Sequence, residues 1–348
     1  MDKTWRHLNF FQYKCYIHLR TPRTKCPRCG ERLWVPPWGR KQSGFTMLFE
    51  AFILTLAKEM PISQIAELFD EHDTKIWRVV RFHVDRAYKE KQFPSVTRIG
   101  CDETSSRKGH NYVTIFADMD SGEVMFATEG KDSYTIEAFA EELHKHESDP
   151  EKIEEITMDM SKAFISGVEK FLPQACITFD KFHVIQALNK AQDEVRRTEQ
   201  NLNPLLKGSR YVWLKNPQNL TDKQKMQLET LRYENTKTAK VYQMKMTFQD
   251  IYRNVHDPEA AKVAIKKWLS WAVRSRIEQI KKFAKMVKTH FYGIMRYFTS
   301  RLTSGMIEGI NSRIQEIKRR ARGFRNIKNF ISMIYLEASK LDIPLLKC

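Results

Sequence analysis

The strongest constraint on the fold is a change in hydrophobic periodicity near residue 93. Before it, apolar residues recur every three or four positions, whereas several runs after it alternate with a period of two. The predicted strands are Val96–Cys101, Tyr112–Ala117, Glu123–Thr128, Ile153–Met158 and Ala175–Phe179, and helices over about 134–146 and 161–171 separate the later ones. Three consecutive strands followed by alternating helices and strands predict a mixed sheet of the α/β (α+β) class.

The same patterns divide the chain into five segments. These are a partial zinc-ribbon-like segment (1–42), a helix-turn-helix domain (43–92), the first part of the sheet core (93–190), a helical insertion (191–297) and the C-terminal helices of the core (298–348). The insertion is basic, and its tryptophans are expected to anchor its packing.

Charge and composition exclude several classes of protein. The chain has 59 Lys and Arg against 42 Asp and Glu, a formal net charge of +17, with 42% hydrophobic residues. That hydrophobic content excludes a disordered chain, and six cysteines in 348 residues argue against a disulfide framework. The longest apolar run, Phe45–Ala57, is too short to span a membrane, so we expect a cytoplasmic protein without a membrane partner. The positive charge indicates a nucleic acid as the partner, which we expect to be double-stranded DNA from the motifs described below, although a solvated basic surface would have the same composition.

Two apolar stripes separated by a short polar turn predict the helix-turn-helix. The stripes are Ile62, Ile65, Ala66, Phe69 and then Ile76, Val79, Val80, His83. The third helix carries the residues that would face the major groove, Thr74, Lys75, Arg78 and Arg81. An ordinary three-helix bundle with a basic solvated face is the alternative.

Cys26 and Cys29 have the spacing of half a zinc site, with Cys15 and His18 as a candidate second half. A turn with two free thiols explains the same residues. We therefore treat Zn²⁺ as a possible ligand of an incomplete site.

Two carboxylates follow predicted strands at analogous positions. Asp102 comes after the first strand and Asp159 after the fourth, so both are expected at one edge of the sheet. Converging carboxylates favour a hard cation such as Mg²⁺ or Mn²⁺. Alternatively, Asp159 simply caps the helix that begins near Ser161.

A late helix beginning near Thr303 supplies a third acid. Glu308, Asn311 and Lys318 fall on one face together with Gln315, next to a basic cluster. Residues of the helix end and the following segment that we predict to bind DNA are Lys318, Arg319, Arg322 and Arg325. A solvated polar face is the alternative.

Several motifs, in order along nearly the whole chain, resemble those of bacterial insertion-sequence transposases of the ISL3 family. They are Asp102-Glu-Thr-Ser, Met158-Asp-Met, Phe179-Asp-Lys-Phe-His183, Leu206-Lys-Gly-Ser-Arg-Tyr-Val-Trp-Leu-Lys-Asn-Pro217, Ser304-Gly-Met-Ile-Glu-Gly-Ile-Asn311 and Ile317-Lys-Arg-Arg-Ala-Arg-Gly-Phe-Arg325. The resemblance implies an RNase H-like core with an Asp-Asp-Glu triad, here Asp102, Asp159 and Glu308. Asp180 and His183 match an Asp-x-x-His element of related transposases, and Asn311 belongs to the Glu308 motif.

This resemblance implies a Mg²⁺-dependent enzyme that cuts element ends and joins their 3′ ends to target DNA. The triad would hold two metals about 3.5–4 Å apart. The protein would act as a homodimer or larger assembly on the terminal inverted repeats and the target, in the bacterial nucleoid. Family members usually carry an additional Cys-x-x-Cys before the Trp5 segment, so the sequence is also consistent with a truncated or decayed copy. A regulator that only binds DNA, or a nuclease that only hydrolyses it, is the rival interpretation.

Overall fold

The computed structural model describes residues 2–28, 30–107, 111–234, 236–302 and 305–346, with Arg107 described by its backbone alone. The strands are β1 (Asp2–Phe10), β2 (Tyr13–Arg20), β3 (Arg23–Cys26), β4 (Gly30–Leu33), β5 (Arg98–Arg107), β6 (Asn111–Asp118), β7 (Glu123–Glu129), β8 (Glu155–Met158) and β9 (Cys176–Phe179).

The helices of the N-terminal domain and the sheet core are α1 (Met47–Ala57), α2 (Ile62–Phe69), α3 (Asp73–Glu90), α4 (Ser133–Lys145), α5 (Lys162–Phe171) and α6 (Lys181–Gln200). The later helices are α7 (Arg210–Leu214), α8 (Asp222–Arg232), α9 (Lys237–Asn254), α10 (Pro258–Arg274), α11 (Glu278–Thr289), α12 (Phe291–Ser300), α13 (Gly305–Arg320) and α14 (Ile327–Ala338).

The N-terminal segment consists of two antiparallel hairpins, β1–β2 and β3–β4. The middle of β1 is buried, with Trp5 and Arg6 only 3% and 2% exposed. The backbone of Arg6 bonds to the segment before α1, because its N–H donates to the Gly44 carbonyl at 2.7 Å and its carbonyl accepts from Thr46 N at 3.0 Å. These bonds attach the hairpin to the helical domain that follows.

Helices α1 to α3 form the predicted helix-turn-helix. The Thr46 side chain caps α1, and α2 ends at Asp70, whose φ of 50° turns the chain toward α3. Aspartate tolerates this left-handed conformation better than most side chains. Both predicted apolar stripes are buried, so the helical periodicity identified the inward faces correctly.

The sheet has the strand order β7-β6-β5-β8-β9, with β5, β8 and β9 mutually parallel and β6 antiparallel to its neighbours. This confirms the predicted mixed RNase H-like sheet. One boundary was wrong: β5 extends to Arg107, so Asp102 lies within the strand instead of following it. The longer strand results from antiparallel pairing with β6, which continues to Asn111.

Helices dominate the chain after β9, as predicted for the insertion. Trp213 and Trp268 are buried, and a separate apolar cluster forms around Trp213. Buried Lys245 donates through Nζ to the Trp213 carbonyl at 2.5 Å, which stabilises the C-terminal end of α7. Among the described helices, none combines the length and the apolar character that crossing a membrane requires.

One continuous hydrophobic core joins the helix-turn-helix to the sheet. The Tyr88 ring, near the end of α3, stacks on Tyr335 of α14 at a centroid distance of 4.2 Å, and its hydroxyl donates to the Met125 carbonyl at 2.8 Å. Trp77, near the start of α3, contacts the Phe324 ring edge to face. Helix α3 therefore belongs to the DNA-binding domain at one end and to the core at the other.

A buried ion-pair network holds the helix-turn-helix together. The Glu50 side chain is fully buried and accepts from Arg40 Nε at 2.8 Å, from His83 Nε2 at 2.6 Å and from the Ser43 hydroxyl. Burial by itself would raise the pKa of Glu50, but these hydrogen bonds outweigh it and hold the pKa below the ordinary value. The carboxylate therefore stays ionised inside the domain.

Replacing Glu50 by Gln should lower the free energy of unfolding by about 3–5 kcal/mol, because Arg40 and His83 lose their charged acceptor inside the domain. A depressed pKa stabilises the protein above the unfolded-state value of 4.5, and that stabilisation is lost as the pH falls through the lower folded-state value. Denaturant unfolding at several pH values between about 3 and 7 measures both the stability lost in the Glu50→Gln variant and the pH dependence of the wild-type protein.

The matched control is Glu67→Gln, because Glu67 is an exposed carboxylate of α2 in the same domain. This change should alter stability by less than about 0.5 kcal/mol. Equal losses in the two variants would contradict the assigned role of the buried network.

Candidate active site

The sheet register aligns three aspartates on neighbouring parallel strands. Gly100 of β5 pairs with Thr157 of β8, and Asp102 and Asp159 lie two residues beyond this pair. Met158 of β8 pairs with Phe179 of β9, and Asp180 follows immediately. Because parallel strands lie about 4.8 Å apart, the register brings the three carboxylates to one level of the sheet.

These aspartates line one small cavity with His183. Its walls are formed by Cys101, Asp102, Thr157, Met158, Asp159, Asp180, His183 and Ile307. His183 Nε2 lies 3.8 Å from Asp102 Oδ1 and 3.9 Å from Asp180 Oδ2. Asp102 is the main cause that raises the pKa of His183, while burial opposes the shift and Asp180 and Asp159 reinforce it.

Two of these aspartates also bind backbone N–H groups at helix starts. Asp180 is the N-cap of α6 and accepts from Phe182 N at 2.8 Å, whereas Asp159 Oδ1 accepts from Ser161 N, also at 2.8 Å. Asp180 therefore caps α6, whereas the capping predicted for Asp159 is not observed, because the N-cap of α5 is Ser161. The Asp159 bond instead closes a turn just before that helix. It uses one oxygen of Asp159 and does not remove that residue from the cavity wall.

Helix α13 packs along the face of β5 that carries Asp102. Asn311 Nδ2 donates to Asp102 Oδ2, Gln315 Nε2 donates to Thr104 Oγ1 at 2.8 Å, and Lys318 Nζ donates to the Ser105 carbonyl. Side chains from successive turns of α13 thus form hydrogen bonds to β5 residues in the same order along the strand. The second oxygen of Asp102, Oδ1, accepts from Glu103 N at 2.7 Å, so both carboxylate oxygens are held.

Glu308 lies on the same helix face, one turn before Asn311. Residues three positions apart on a helix have Cβ atoms about 5–6 Å apart, so Glu308 is adjacent to the residue that holds Asp102. Its side chain is exposed and lines a neighbouring pocket with Lys181, Phe182 and Arg253. The preceding residue, Ile307, lines the aspartate cavity itself. The helix therefore contributes Ile307 to the aspartate cavity, while the Glu308 side chain lies in the neighbouring pocket.

Glu103, next to Asp102 on β5, is an acid near the cavity that the sequence analysis did not single out. Burial raises its pKa to about 7, with repulsion from Asp159 and Asp102 adding to the shift and Lys131 opposing it. The signal in the sequence was the pair of adjacent acids, Asp102 and Glu103. The raised pKa indicates concentrated negative charge around this part of β5.

The predicted DNA-binding residues lie in two places. Thr74, Lys75 and Arg78 are exposed on the first half of α3, Arg81 is partly buried there, and Lys75 pairs with Glu71 at 2.7 Å. Arg319, Arg322 and Arg325 are exposed at the end of α13 and after it. Lys318 differs from them, because its ammonium group is partly buried on the Ser105 carbonyl and burial lowers its pKa.

The zinc prediction has less support. Cys26 ends β3, while Cys29 lies outside the described residues. Within the described part of the chain, no three His, Cys, Asp or Glu side chains are close enough to hold a metal ion. Zinc binding by Cys26 and Cys29 therefore stays a prediction.

Gly100 is where α13 approaches β5 most closely. A Cβ atom at Gly100 would lie 2.0 Å from Ile307 Cδ1 and 2.6 Å from Met119 Sδ, whereas a Cβ at Gly309 would meet nothing within 4 Å. Gly100→Ala should therefore lower the free energy of unfolding by about 1–3 kcal/mol through overpacking. Urea unfolding of purified protein measures this loss.

Gly309→Ala in the first part of α13 provides the comparison. It should raise stability by up to about 1 kcal/mol, because alanine favours the helix and this position is open. If the two alanine variants had the same free energy of unfolding, the close packing of Ile307 against Gly100 would be contradicted.

Comparisons with known proteins agree with this architecture. A family model described as a transposase, for the DDE domain of the ISL3 family, matches residues 99–334. A second model, described as the helix-turn-helix domain of transposase family ISL3, matches residues 35–84. The first match spans about two thirds of the chain and contains all five acids described above, Asp102, Glu103, Asp159, Asp180 and Glu308.

Two curated relatives match almost the entire chain. It is 28% identical over 367 residues to the transposase for insertion sequence element IS1557 of Mycobacterium tuberculosis, covering 96% of this chain and 81% of that protein. It is 27% identical over 342 residues to the transposase for insertion sequence element IS1001 of Bordetella parapertussis, covering 94% and 82%. Together with the fold and the family models, these matches show that the chain belongs to the ISL3 family of transposases.

Proposed function

We propose that this transposase cuts the ends of its insertion sequence and joins the 3′ ends to target DNA, with Asp102, Asp159 and Glu308 as the catalytic acids. The observation that carries the proposal is the shared level of Asp102 and Asp159 in the parallel register, next to the helix that bears Glu308. The relatives named above are transposases of insertion sequences, which supports the same reaction class.

The residue types that line the cavity are those that a divalent cation prefers, but no three acidic, His or Cys side chains of the described residues lie close enough together to hold one in this structure. Binding would therefore require these side chains to move closer together. Three aspartates meet at one sheet edge, and the pKa of Glu103 is raised to about 7 by burial and by repulsion from two of them. A cation would relieve this repulsion, and carboxylate oxygens are the ligands that Mg²⁺ and Mn²⁺ prefer. Asp102 and Asp159 would hold the ion with Glu308, and a bound Mg²⁺ supplies Lewis-acid stabilisation of the charge that develops during phosphoryl transfer.

The protein itself contributes positioning. Asn311 and the Glu103 N–H hold the two oxygens of Asp102 in a fixed orientation, so this carboxylate does not have to reorganise during the reaction. Exposed Thr74, Lys75 and Arg78 would bind the element end in the major groove. Because α3 extends into the core, DNA bound there would have a defined position relative to the acids.

Asp102→Asn, Asp159→Asn and Glu308→Gln should each reduce cleavage by at least about a thousandfold, or roughly 4 kcal/mol of barrier, while binding of the element end persists. The assay uses a labelled duplex that carries the terminal inverted repeat, incubated with Mg²⁺ and scored for nicked and joined products.

Glu316→Gln is the matched control, because Glu316 is an exposed carboxylate of α13 outside the proposed site. This variant should cleave at the wild-type rate. A neutralised acid that left cleavage intact would be removed from the triad. Nicking without joined products would favour a nuclease, and binding without nicking would favour a DNA-binding regulator.

Metal binding can be tested without DNA or activity. Mn²⁺ or Mg²⁺ at about ten times its dissociation constant should stabilise the wild-type protein by about 1.4 kcal/mol, since only the folded state presents the site. Thermal unfolding should show this stabilisation, and EDTA should reverse it. The double variant Asp102→Asn/Asp159→Asn should show none, whereas Glu316→Gln should behave as wild type. Equal stabilisation of all three proteins would place the cation elsewhere.

We also propose assembly of a homodimer or larger complex on paired DNA ends in the nucleoid, because two ends require two active sites. The family identity and the helix-turn-helix support DNA as the partner. Zn²⁺ at Cys26 and Cys29 is a further proposal, which rests on their sequence spacing.

A further inference from the structure

The tip of the first hairpin exposes three large aromatic side chains. Phe10 is 69% exposed, Phe11 81% and Tyr13 67%. Phe10 and Tyr13 are cross-strand partners, and the Phe10 and Phe11 rings contact each other edge to face at a centroid distance of 4.9 Å. Together these residues form an aromatic tip of β1–β2. Leaving such side chains in water forgoes the stabilisation that their burial would give.

The backbone of the tip is also strained. Phe11 has a φ of 52°, in the left-handed region that bulky residues rarely adopt. Asn or Gly normally occupies such a position in a hairpin turn, because neither is strained there to the same extent. A strained and exposed phenylalanine contributes little to folding, and this pattern is typical of a residue retained for binding.

The tip is held beside the helix-turn-helix. In the middle of β1, Trp5 and Arg6 are buried, and the Arg6 backbone bonds to the segment before α1. Near the tip, Lys14 pairs with Asp70, the residue that ends α2 at the start of the turn into α3. The aromatic tip therefore projects from an anchored hairpin next to the helix that would enter the major groove.

The surrounding charge favours a nucleic acid as the occupant. The first 41 residues contain ten Lys and Arg against two Asp and Glu. A second protein chain carrying this same basic segment would be repelled from it, whereas DNA phosphates would be attracted. The combination of basic side chains and exposed aromatic rings is the one used to stack on nucleobases.

From these observations, we propose that the aromatic tip inserts between base pairs in the minor groove of the DNA that flanks the site bound by α3. Aromatic and other apolar side chains that insert in this way unstack one base step and bend the duplex, so that the DNA contacts more of the protein surface. The inference rests on the proposed function, since it requires that the helix-turn-helix binds the element end.

Phe11→Ala and Phe11→Asn should weaken binding to the terminal-repeat duplex by roughly five- to a hundredfold, the effect of losing one base–aromatic contact. Fluorescence anisotropy measures the affinity, and 2-aminopurine placed at flanking positions reports unstacking through increased emission. Phe11→Asn should also leave thermal stability unchanged or raised, because asparagine tolerates the left-handed backbone. Loss of binding without loss of stability separates a contact with DNA from a role in folding.

Tyr134→Ala is the matched control, because Tyr134 is an equally exposed aromatic residue, 70% accessible, on α4. It should bind with wild-type affinity. Arg78→Ala tests the helix-turn-helix separately and should reduce the slope of log affinity against log salt by about one, whereas the Phe11 variants should leave that slope unchanged.

Wild-type affinity and unchanged 2-aminopurine emission in the Phe11 variants, with weakened binding in Arg78→Ala, would overturn this inference and leave the proposed function intact. No specific binding by the wild-type protein would overturn both. Dissociation of a dimer by Phe11→Ala, with DNA affinity unchanged, would assign the tip to a second copy of the chain and also overturn the inference.

Discussion

The packing of helix α13 against strand β5 is the contact on which the candidate site depends. It brings together segments that are 209 residues apart in sequence, through Asn311 on Asp102, Gln315 on Thr104 and Lys318 on the Ser105 carbonyl. The absence of a side chain at Gly100 allows Ile307 to approach the strand at the start of this contact. Without this packing, Asp102 and Asp159 would still be neighbours, but Glu308 would have no fixed relation to either.

A second constraint connects DNA binding to the sheet. Helix α3 is part of the helix-turn-helix at its first half and part of the central core at its second, where Tyr88 stacks on Tyr335. A continuous α-helix advances a constant distance of about 1.5 Å per residue, so it holds its two ends at a fixed distance and orientation. No flexible linker therefore separates the helix-turn-helix from the core at this point. The buried ion pairs of Glu50 with Arg40 and His83 also stabilise the helix-turn-helix domain. The proposed role of α3 in positioning an element end follows from this rigid connection.

Local patterns predicted much of this molecule correctly. The helical stripes around Ile65 and Val79 identified the inward faces of α2 and α3, since burial follows the helical period. The mixed sheet was also predicted, because three strands followed by alternating helices and strands favour that class. The strand order was not predicted. Strand ends were less predictable: β5 continues beyond Cys101 because β6 provides hydrogen-bond partners that no local pattern reveals. The hairpins of the first 33 residues were not predicted, for the same reason.

The sequence by itself determined which residues are acids, where strands and helices alternate, and that one late helix face carries Glu308, Asn311, Gln315 and Lys318 in line. Those features are local, since they depend on residue type and on spacing within one element. Only the tertiary structure decided that Asp102, Asp159 and Asp180 share one level of the sheet, that their charge acts on Glu103, and that Lys318 donates to the Ser105 carbonyl. Register and burial arise from contacts between distant segments, and these form only when the complete chain packs.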